Sequence, residues 1–431
     1  MKLVPLSNIH LYSMNIEIVL LLLFIVGYLA IALEHSLKIN KAAPALLLAT
    51  ICWTVYALSG LESSAMVQEH LSKHLSSIAE IVFFLMGAMT IVELIAAHNG
   101  FDYITKSIST NKKRKLLWFI CIFTFFLSAI LDNLTTSIVA VSLVRKLIKE
   151  QEERWLYASM VIIAANAGGA WSPIGDVTTT MLWIGGQIST LNIIRELFLP
   201  SLVCLLIPLL YQTLRLKGSF NFEEKESEKI EPKALSVLIL GVLVLIGVPI
   251  FKTLTHLPPY IGMTLGMAIL WVYTELTHRN APDRDYLKIS SVLMKIDMSS
   301  ILFFFGILLA VSCFEAVGML HHLATFLETT IGNQDIIVGV LGVLSAIIDN
   351  VPLTAAVQGM YDLSIYPTNH RLWESLAYAV GTGGSSLIIG SAAGVVVMGM
   401  EDISFFWYFR RISLMALMGY LGGLLCFYWL N

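Results

Sequence analysis

Between the cluster Lys112-Lys-Arg-Lys115 and the group Arg145, Lys146, Lys149 and Arg154 runs the apolar segment LLWFICIFTFFLSAILDNLTTSIVAVSLVRKLI, Leu116–Ile148. In its middle stand Asp132 and Asn133. Positive residues stay on the cytoplasmic face of a membrane protein. A segment with positive clusters at both ends therefore does not cross once. It enters and returns as a re-entrant helical hairpin, and Asp132 and Asn133 fall at its tip, near mid-membrane.

The composition agrees with a chain that lives in lipid. Of its 431 residues, 57% are hydrophobic and 13% charged, about half the charged share of soluble domains. Mean hydropathy is +0.78. A soluble fold cannot hide that much apolar surface, and recurrent apolar runs of about 20 residues read as transmembrane helices. The net charge of −3 presents no basic face for nucleic acid. Cys52, Cys121, Cys204, Cys313 and Cys426 form no CxxC pair and sit in apolar segments, so they read as core residues. Only Lys2 precedes the first apolar run, Ile16–Leu33, which is too long for a signal-peptide core and is read as the first span.

The remaining spans of the first half are Ala43–Leu61, Ile78–Ala97 and Ile193–Leu214, with a broken segment at Trp155–Ile188. The polar stretch Arg215–Lys233 divides the chain as a cytoplasmic linker, leaving residues 1–214 and 234–431 as two halves. The second half repeats the order. Spans are expected at Ala234–Ile250, Tyr260–Leu276, Ser299–Phe314 and Ile412–Leu430, and broken segments at Ile336–Leu363 and Leu372–Met400. Ile336–Leu363 sits between Asp335 and Asp362 with few positive neighbours and reads as a hairpin entering from outside. Ten crossings and two hairpins result, with both termini outside. The expected fold is an all-α polytopic membrane protein of two inverted repeats, each of five spans plus one re-entrant hairpin, with broken helices at mid-membrane.

An internal repeat supports this division. Leu127-Ser-Ala-Ile-Leu-Asp-Asn133 matches Leu344-Ser-Ala-Ile-Ile-Asp-Asn350 at six of seven positions, with an offset of 349 − 132 = 217. Further on, Asn166-Ala-Gly-Gly-Ala-Trp-Ser-Pro-Ile-Gly-Asp176 aligns with Gly381-Thr-Gly-Gly-Ser-Ser-Leu-Ile-Ile-Gly-Ser391, with an offset of 383 − 168 = 215. Upstream, Phe84-Leu-Met-Gly87 echoes Phe303-Phe-Phe-Gly306. Three matches in one order at nearly one offset indicate a duplicated unit.

An ionised carboxylate in the bilayer core is costly, so Asp132, Asp176 and Asp349 are functional candidates. Each Asp-Asn pair also suits a helix N-cap, with Thr135 and Thr136 or Thr354 in the first turn. Serine or asparagine would cap without an ionisable group, which favours function. Gly168, Gly169, Gly383, Gly384 and Pro173 break helices and free carbonyls, tolerated at membrane depth only where the backbone is buried or lines a wet cavity. The set then comprises three carboxylates, the amides of Asn133, Asn166 and Asn350, the hydroxyls of Ser172, Thr382, Ser385 and Ser386, and free carbonyls. No lysine or arginine lies in these motifs. Hard oxygen ligands suit a hard cation such as Na+. A desolvated carboxylate also takes up protons, so cation and proton compete for one site, and no cofactor is called for. Glu80, Glu93 and Glu315 read more simply as rim residues, while His70 and His74 are expected in a short amphipathic loop where they could sense pH.

These motifs, with Met86-Gly-Ala-Met-Thr-Ile-Val-Glu93 and Ser345-Ala-Ile-Ile-Asp-Asn-Val-Pro-Leu-Thr354, resemble those of the NhaD-type sodium/proton antiporters of the ion transporter superfamily. The similarity runs from about Glu80 to the C-terminus. It implies efflux of Na+ or Li+ in exchange for protons across a bacterial inner membrane, for pH and salt homeostasis. It also implies a transport domain moving against a scaffold, usually in a homodimer. By the family pattern Asp132, Asn133, Asn166, Asp176, Asp349 and Asn350 serve ion binding and proton exchange. An anion transporter of the same superfamily, for arsenite or a carboxylate, is the alternative. An intramembrane aspartyl enzyme using Asp132 and Asp349 lacks any accompanying protease motif.

Overall fold

A computed structural model describes residues 6–101, 110–220, 233–279 and 287–430, with side chains at 6–15 and 35–36 left aside. Most of the linker expected at Arg215–Lys233 lies outside the described residues. Among those described, secondary structure is helical, with one isolated bridge between Lys112 and Ser219.

In chain order the helices are α1 (Leu6–Ala32), α2 (Glu34–Leu37), α3 (Ala42–Ser59), α4 (Ser64–Ala97), α5 (Lys113–Leu131), α6 (Asn133–Leu147), α7 (Gln151–Gly169), α8 (Val177–Ile184) and α9 (Thr190–Arg215). Then come α10 (Ala234–Thr255), α11 (Pro259–His278), α12 (Ile289–Leu293), α13 (Met298–Ala316), α14 (Met319–Ile331), α15 (Gln334–Leu344) and α16 (Asn350–Met360). The chain closes with α17 (Arg371–Gly383), a 3-10 turn at Gly384–Ser386, α18 (Ala392–Glu401), α19 (Phe405–Tyr408), a π-helical turn at Phe409–Ser413 and α20 (Leu414–Leu430). Seven of the described helical stretches are long and apolar enough to cross a membrane, and shorter apolar helices occur at Ile16–Ala32, Gln334–Leu344 and Ala392–Glu401. The protein is therefore a polytopic α-helical membrane protein.

Each apolar run expected from sequence carries a helix. Two details differ. Helix α4 starts at Ser64, so His70 and His74 lie in its first turns rather than in a loop. The apolar residues there recur at helical rather than loop spacing. Helix α14 was not anticipated, because its apolar residues form only one stripe, Leu320 and Ala324 being the buried positions.

The described chain divides into two compact units. One comprises residues up to Val82 with Asp297–Asn333 and Val351–Ile365. Within it α13 packs against α3 so closely that a Cβ on Gly306 would stand 2.8 Å from the Ala45–Leu46 backbone. The Trp53 indole donates to the Leu309 carbonyl at 2.8 Å. The other unit comprises Phe83–Ile296, Gln334–Asn350 and Tyr366 onward. Its core pairs are α5 with α7, α15 with α17 and α9 with α20. All three approach across glycines. A Cβ on Gly168 would run into the Phe125 carbonyl, one on Gly383 into the Gly342 carbonyl, and one on Gly419 into the Cys204 carbonyl.

The two ends of the segment 113–147 come together on the start of α7. Lys113 forms an ion pair with Glu153, and the Tyr157 hydroxyl donates to the Lys113 carbonyl at 2.7 Å. Arg145, at the end of α6, and Arg154, at the start of α7, both reach Glu401 at 2.6 Å. The chain thus folds back between α5 and α6, and the turn of that hairpin is Asp132.

Candidate functional site

Helix α5 stops and α6 starts at a single residue. Asp132 has φ 97° and ψ 156°, a region that is nearly glycine-only and costs roughly 1–3 kcal/mol for other residues. Its carboxylate secures the first turn of α6: Oδ1 accepts from the Thr135 amide and Oδ2 from the Thr135 hydroxyl, both at 2.8 Å. Capping and function are thus not alternatives here, since the cap is an ionisable group on a strained backbone.

The second break follows α7. The backbone turns through Ser172, Pro173 and Gly175 and re-enters a helix after Asp176, whose Oδ1 accepts from the Thr178 amide at 3.2 Å. The break is pinned to the hairpin. The Ser172 hydroxyl donates to the Ala129 carbonyl at 2.5 Å and the Ser128 hydroxyl to the Ala165 carbonyl at 2.6 Å. In the second copy the Ser345 hydroxyl donates to the Val380 carbonyl at 3.2 Å, the same contact at corresponding positions. Ser391 starts α18 as Asp176 starts α8, with φ −144°, ψ 154° against φ −146°, ψ 150°. Its hydroxyl accepts from the Gly394 amide at 3.1 Å.

The site residues converge through Asn166, which is fully buried. Its amide oxygen accepts from Asn133 Nδ2 at 3.0 Å, and its nitrogen donates to the hydroxyls of Ser385 and Ser391 at 2.9 Å each. Asp176 lies within charge–charge range of both Asp132 and Asp349. Asp176 Oδ2 faces Gly381, where a Cβ would stand 3.2 Å away. Asn350 Oδ1 would stand 3.2 Å from a Cβ on Gly384, one turn further along. Asp132, Asn133, Asn166, Asp176, Asp349, Asn350, Ser172, Ser385 and Ser386 therefore belong to one unit, with Thr135 and Thr136 beside them. Glu93 is in this unit too and half-buried, whereas Glu80, His74, Glu315 and Thr354 belong to the other.

Buried polar groups normally find partners, so the exceptions are informative. Asp176 Oδ2 and the hydroxyls of Thr136, Thr178 and Ser386 are buried without a hydrogen-bond partner among the described residues. Thr382 is different, since its hydroxyl donates to the Tyr378 carbonyl at 2.7 Å within its own helix. The half-helices that start at the site are held at their far ends by cations, which suits the negative end of a helix dipole. Lys252 Nζ donates to the Trp183 carbonyl of α8 at 2.6 Å. Arg145 donates to the Met400 carbonyl of α18, and the Trp155 indole to the Glu401 carbonyl at 2.7 Å.

Sequence reading missed the hydroxyl partnership of Ser391 with Asn166, and the Arg145–Glu401–Arg154 cluster. A visible signal for the latter is an acidic residue closing the apolar run VVVMGME, at Glu401.

Membrane-length helices broken at buried carboxylates, amides and unpaired hydroxyls define a polytopic membrane transporter. A family model described as "Citrate transporter" matches residues 19–383. The chain is 49% identical to sodium/proton antiporter 1 of Arabidopsis thaliana over 416 residues, covering 95% of this chain and 72% of that protein. It is 46% identical to sodium/proton antiporter 2 of the same plant, covering 94% and 98%. With the Na(+)/H(+) antiporter NhaD of Vibrio cholerae it shares 30% identity over 88% and 84% of the two chains. The chain belongs to the citrate-transporter family and, within it, to the NhaD-type sodium/proton antiporters.

Proposed function

We propose that this chain exchanges Na+ or Li+ for H+ across an energised membrane such as the bacterial cell inner membrane, the two ions competing for Asp132 and Asp176. The observation that carries the reading is the Oδ2 atom of Asp176, buried without a donor and within charge–charge range of two further carboxylates. A buried unpaired carboxylate oxygen costs several kcal/mol unless a proton or cation meets it. Either ion satisfies it, and both at once are unfavourable, which couples the fluxes when the carrier does not reorient unloaded. Asn133, Asn350 and the hydroxyls of Thr136, Thr178 and Ser386 supply neutral oxygens, and Asp349 is the third carboxylate.

The antiporter names of the relatives support the same exchange. The recurrence of the serine–carbonyl contacts and of the Asp176 and Ser391 backbone angles supports two structurally equivalent halves, 1–214 and 234–431, which we read as inverted repeats around the site. The fold-back at Asp132 supports a re-entrant hairpin with both ends on the cytoplasmic side. A homodimer is the expected assembly. The family description mentions citrate, yet an anion of that charge needs cationic partners, and the two breaks and two hairpin tips contain no lysine or arginine.

The test is Na+-driven proton movement in everted vesicles for wild type and Asp132→Asn. The expected result is loss of exchange in the variant at full expression. Unimpaired exchange would remove Asp132 from the mechanism.

A further inference from the structure

The offset of the two broken helices pairs Asn166 with Gly381, Ala170 with Ser385 and Asp176 with Ser391 (381 − 166 = 385 − 170 = 391 − 176 = 215). The contacts obey this pairing crosswise. Asn166 meets Ser385 and Ser391, with its amide nitrogen 2.9 Å from each hydroxyl. Gly381 meets Ala170 and Asp176, for a Cβ at 381 would stand 3.4 Å from Ala170 Cβ and 3.2 Å from Asp176 Oδ2. One crossing is closed by an amide on two hydroxyls. At the other, a glycine faces a methyl group and a carboxylate.

The chemistry of the two crossings differs accordingly. At the first, each polar atom of the Asn166 side chain has a partner. At the second, Asp176 is 2% exposed and its Oδ2 has no hydrogen-bond donor among the described residues. An asparagine at 381 would supply that donor, as Asn166 does for Ser391. Glycine does not.

We infer that Gly381 is a specificity-determining residue of the exchange site: carrying no side chain, it leaves Asp176 Oδ2 to a desolvated monovalent cation, where its counterpart Asn166 closes the matching crossing with an amide. This rests on the exchange reading above. A side chain at 381 competes with the ion for one oxygen. Alanine intrudes on the shell around Oδ2 and handicaps the larger Na+ more than Li+. Asparagine donates an N–H to Oδ2 and replaces the ion.

The test uses the full-length chain, purified in detergent and heated in choline chloride, NaCl or LiCl. Binding of an ion to the folded state raises Tm by mass action, so wild type gains stability with Na+. Gly381→Asn is expected to lose that gain while its Tm in choline chloride equals or exceeds that of wild type. In liposomes, Gly381→Ala is expected to raise the Na+ half-saturation roughly tenfold, the equivalent of one hydrogen bond's worth of binding, and the Li+ value less. Ala170→Gly in the Gly381→Ala background, which removes the facing methyl, should bring the Na+ value back toward wild type.

Retention of the Na+-dependent Tm rise in Gly381→Asn overturns the inference. So does a wild-type half-saturation for both ions in Gly381→Ala, which decides the matter where Gly381→Asn does not fold. If wild type responds to neither ion, the exchange reading fails instead. The two failures are told apart by the wild type: its Na+-dependent Tm rise upholds the exchange reading, and only then does a retained rise in Gly381→Asn count against Gly381.

Discussion

The Asn166 amide nitrogen donates to the Ser391 hydroxyl at 2.9 Å, joining the helix before the first break to the residue that starts α18 after the second. The same nitrogen reaches Ser385, and the amide oxygen accepts from Asn133 at 3.0 Å. One buried side chain thus ties a hairpin tip to both broken helices.

Removing it should be costly. Asn166→Ala leaves Asn133, Ser385 and Ser391 each short of a partner at a buried position, at about 1 kcal/mol apiece. Ser391→Ala removes one of the amide's two acceptors and leaves Ser385. Ser391→Ala also removes the hydroxyl that accepts from the Gly394 amide, so by three bonds lost against two we expect Asn166→Ala to lower Tm in detergent by about one and a half times as much as Ser391→Ala. Equal effects would show that the amide is not the junction.

Glu401 offers a second ranking. Its side chain is fully buried and meets Arg154, 22% exposed, and Arg145, 49% exposed, at 2.6 Å each. Water screens the Arg145 pair more strongly. Arg154→Ala should therefore destabilise more than Arg145→Ala. Glu401→Ala, which leaves two guanidinium groups without their shared carboxylate, should cost more than either arginine variant. Thermal unfolding of the three variants checks the order, and a larger loss for Arg145→Ala than for Arg154→Ala would contradict it.

Helix contact across glycine predicts a third pattern. Gly168→Ala and Gly383→Ala drive a methyl into the Phe125 and Gly342 carbonyls at corresponding places in the two copies. Backbone on both sides leaves nothing flexible to yield, so both variants should express poorly or unfold at lower temperature. Gly399→Ala meets nothing within 4 Å and should stay within about 0.5 kcal/mol of wild type. Fluorescence-detected size exclusion of the three separates these outcomes.

Much of this architecture was legible because lipid simplifies the code. Long apolar runs have few structures open to them, and an aspartate or a Gly-Gly-x-x-x-Pro inside one marks a break. Asp132, Asp176 and the fold-back between the Lys112–Lys115 and Arg145 clusters were found on that basis. What escaped were facts that depend on partners distant in sequence. Arg145 and Arg154 looked like topology markers until Glu401, some 250 positions on, was seen between them. The alignment of Ser391 with Asp176 does not reveal the Asn166 amide that bonds its hydroxyl. The sequence suggests a loop at His70 and His74 because polar residues dilute the apolar stripe of a helix that extends beyond its oily section.

The central claim is that Asp176 exchanges a cation for a proton. Its most direct test is the internal pH of liposomes holding the purified protein, with a Na+ gradient imposed and the membrane potential clamped by potassium and valinomycin. Wild type should move protons against the Na+ flux, and Asp176→Asn, which keeps the shape but holds no charge, should move none while its Tm stays near wild type. Na+-driven pH change at the wild-type rate in Asp176→Asn would contradict the account.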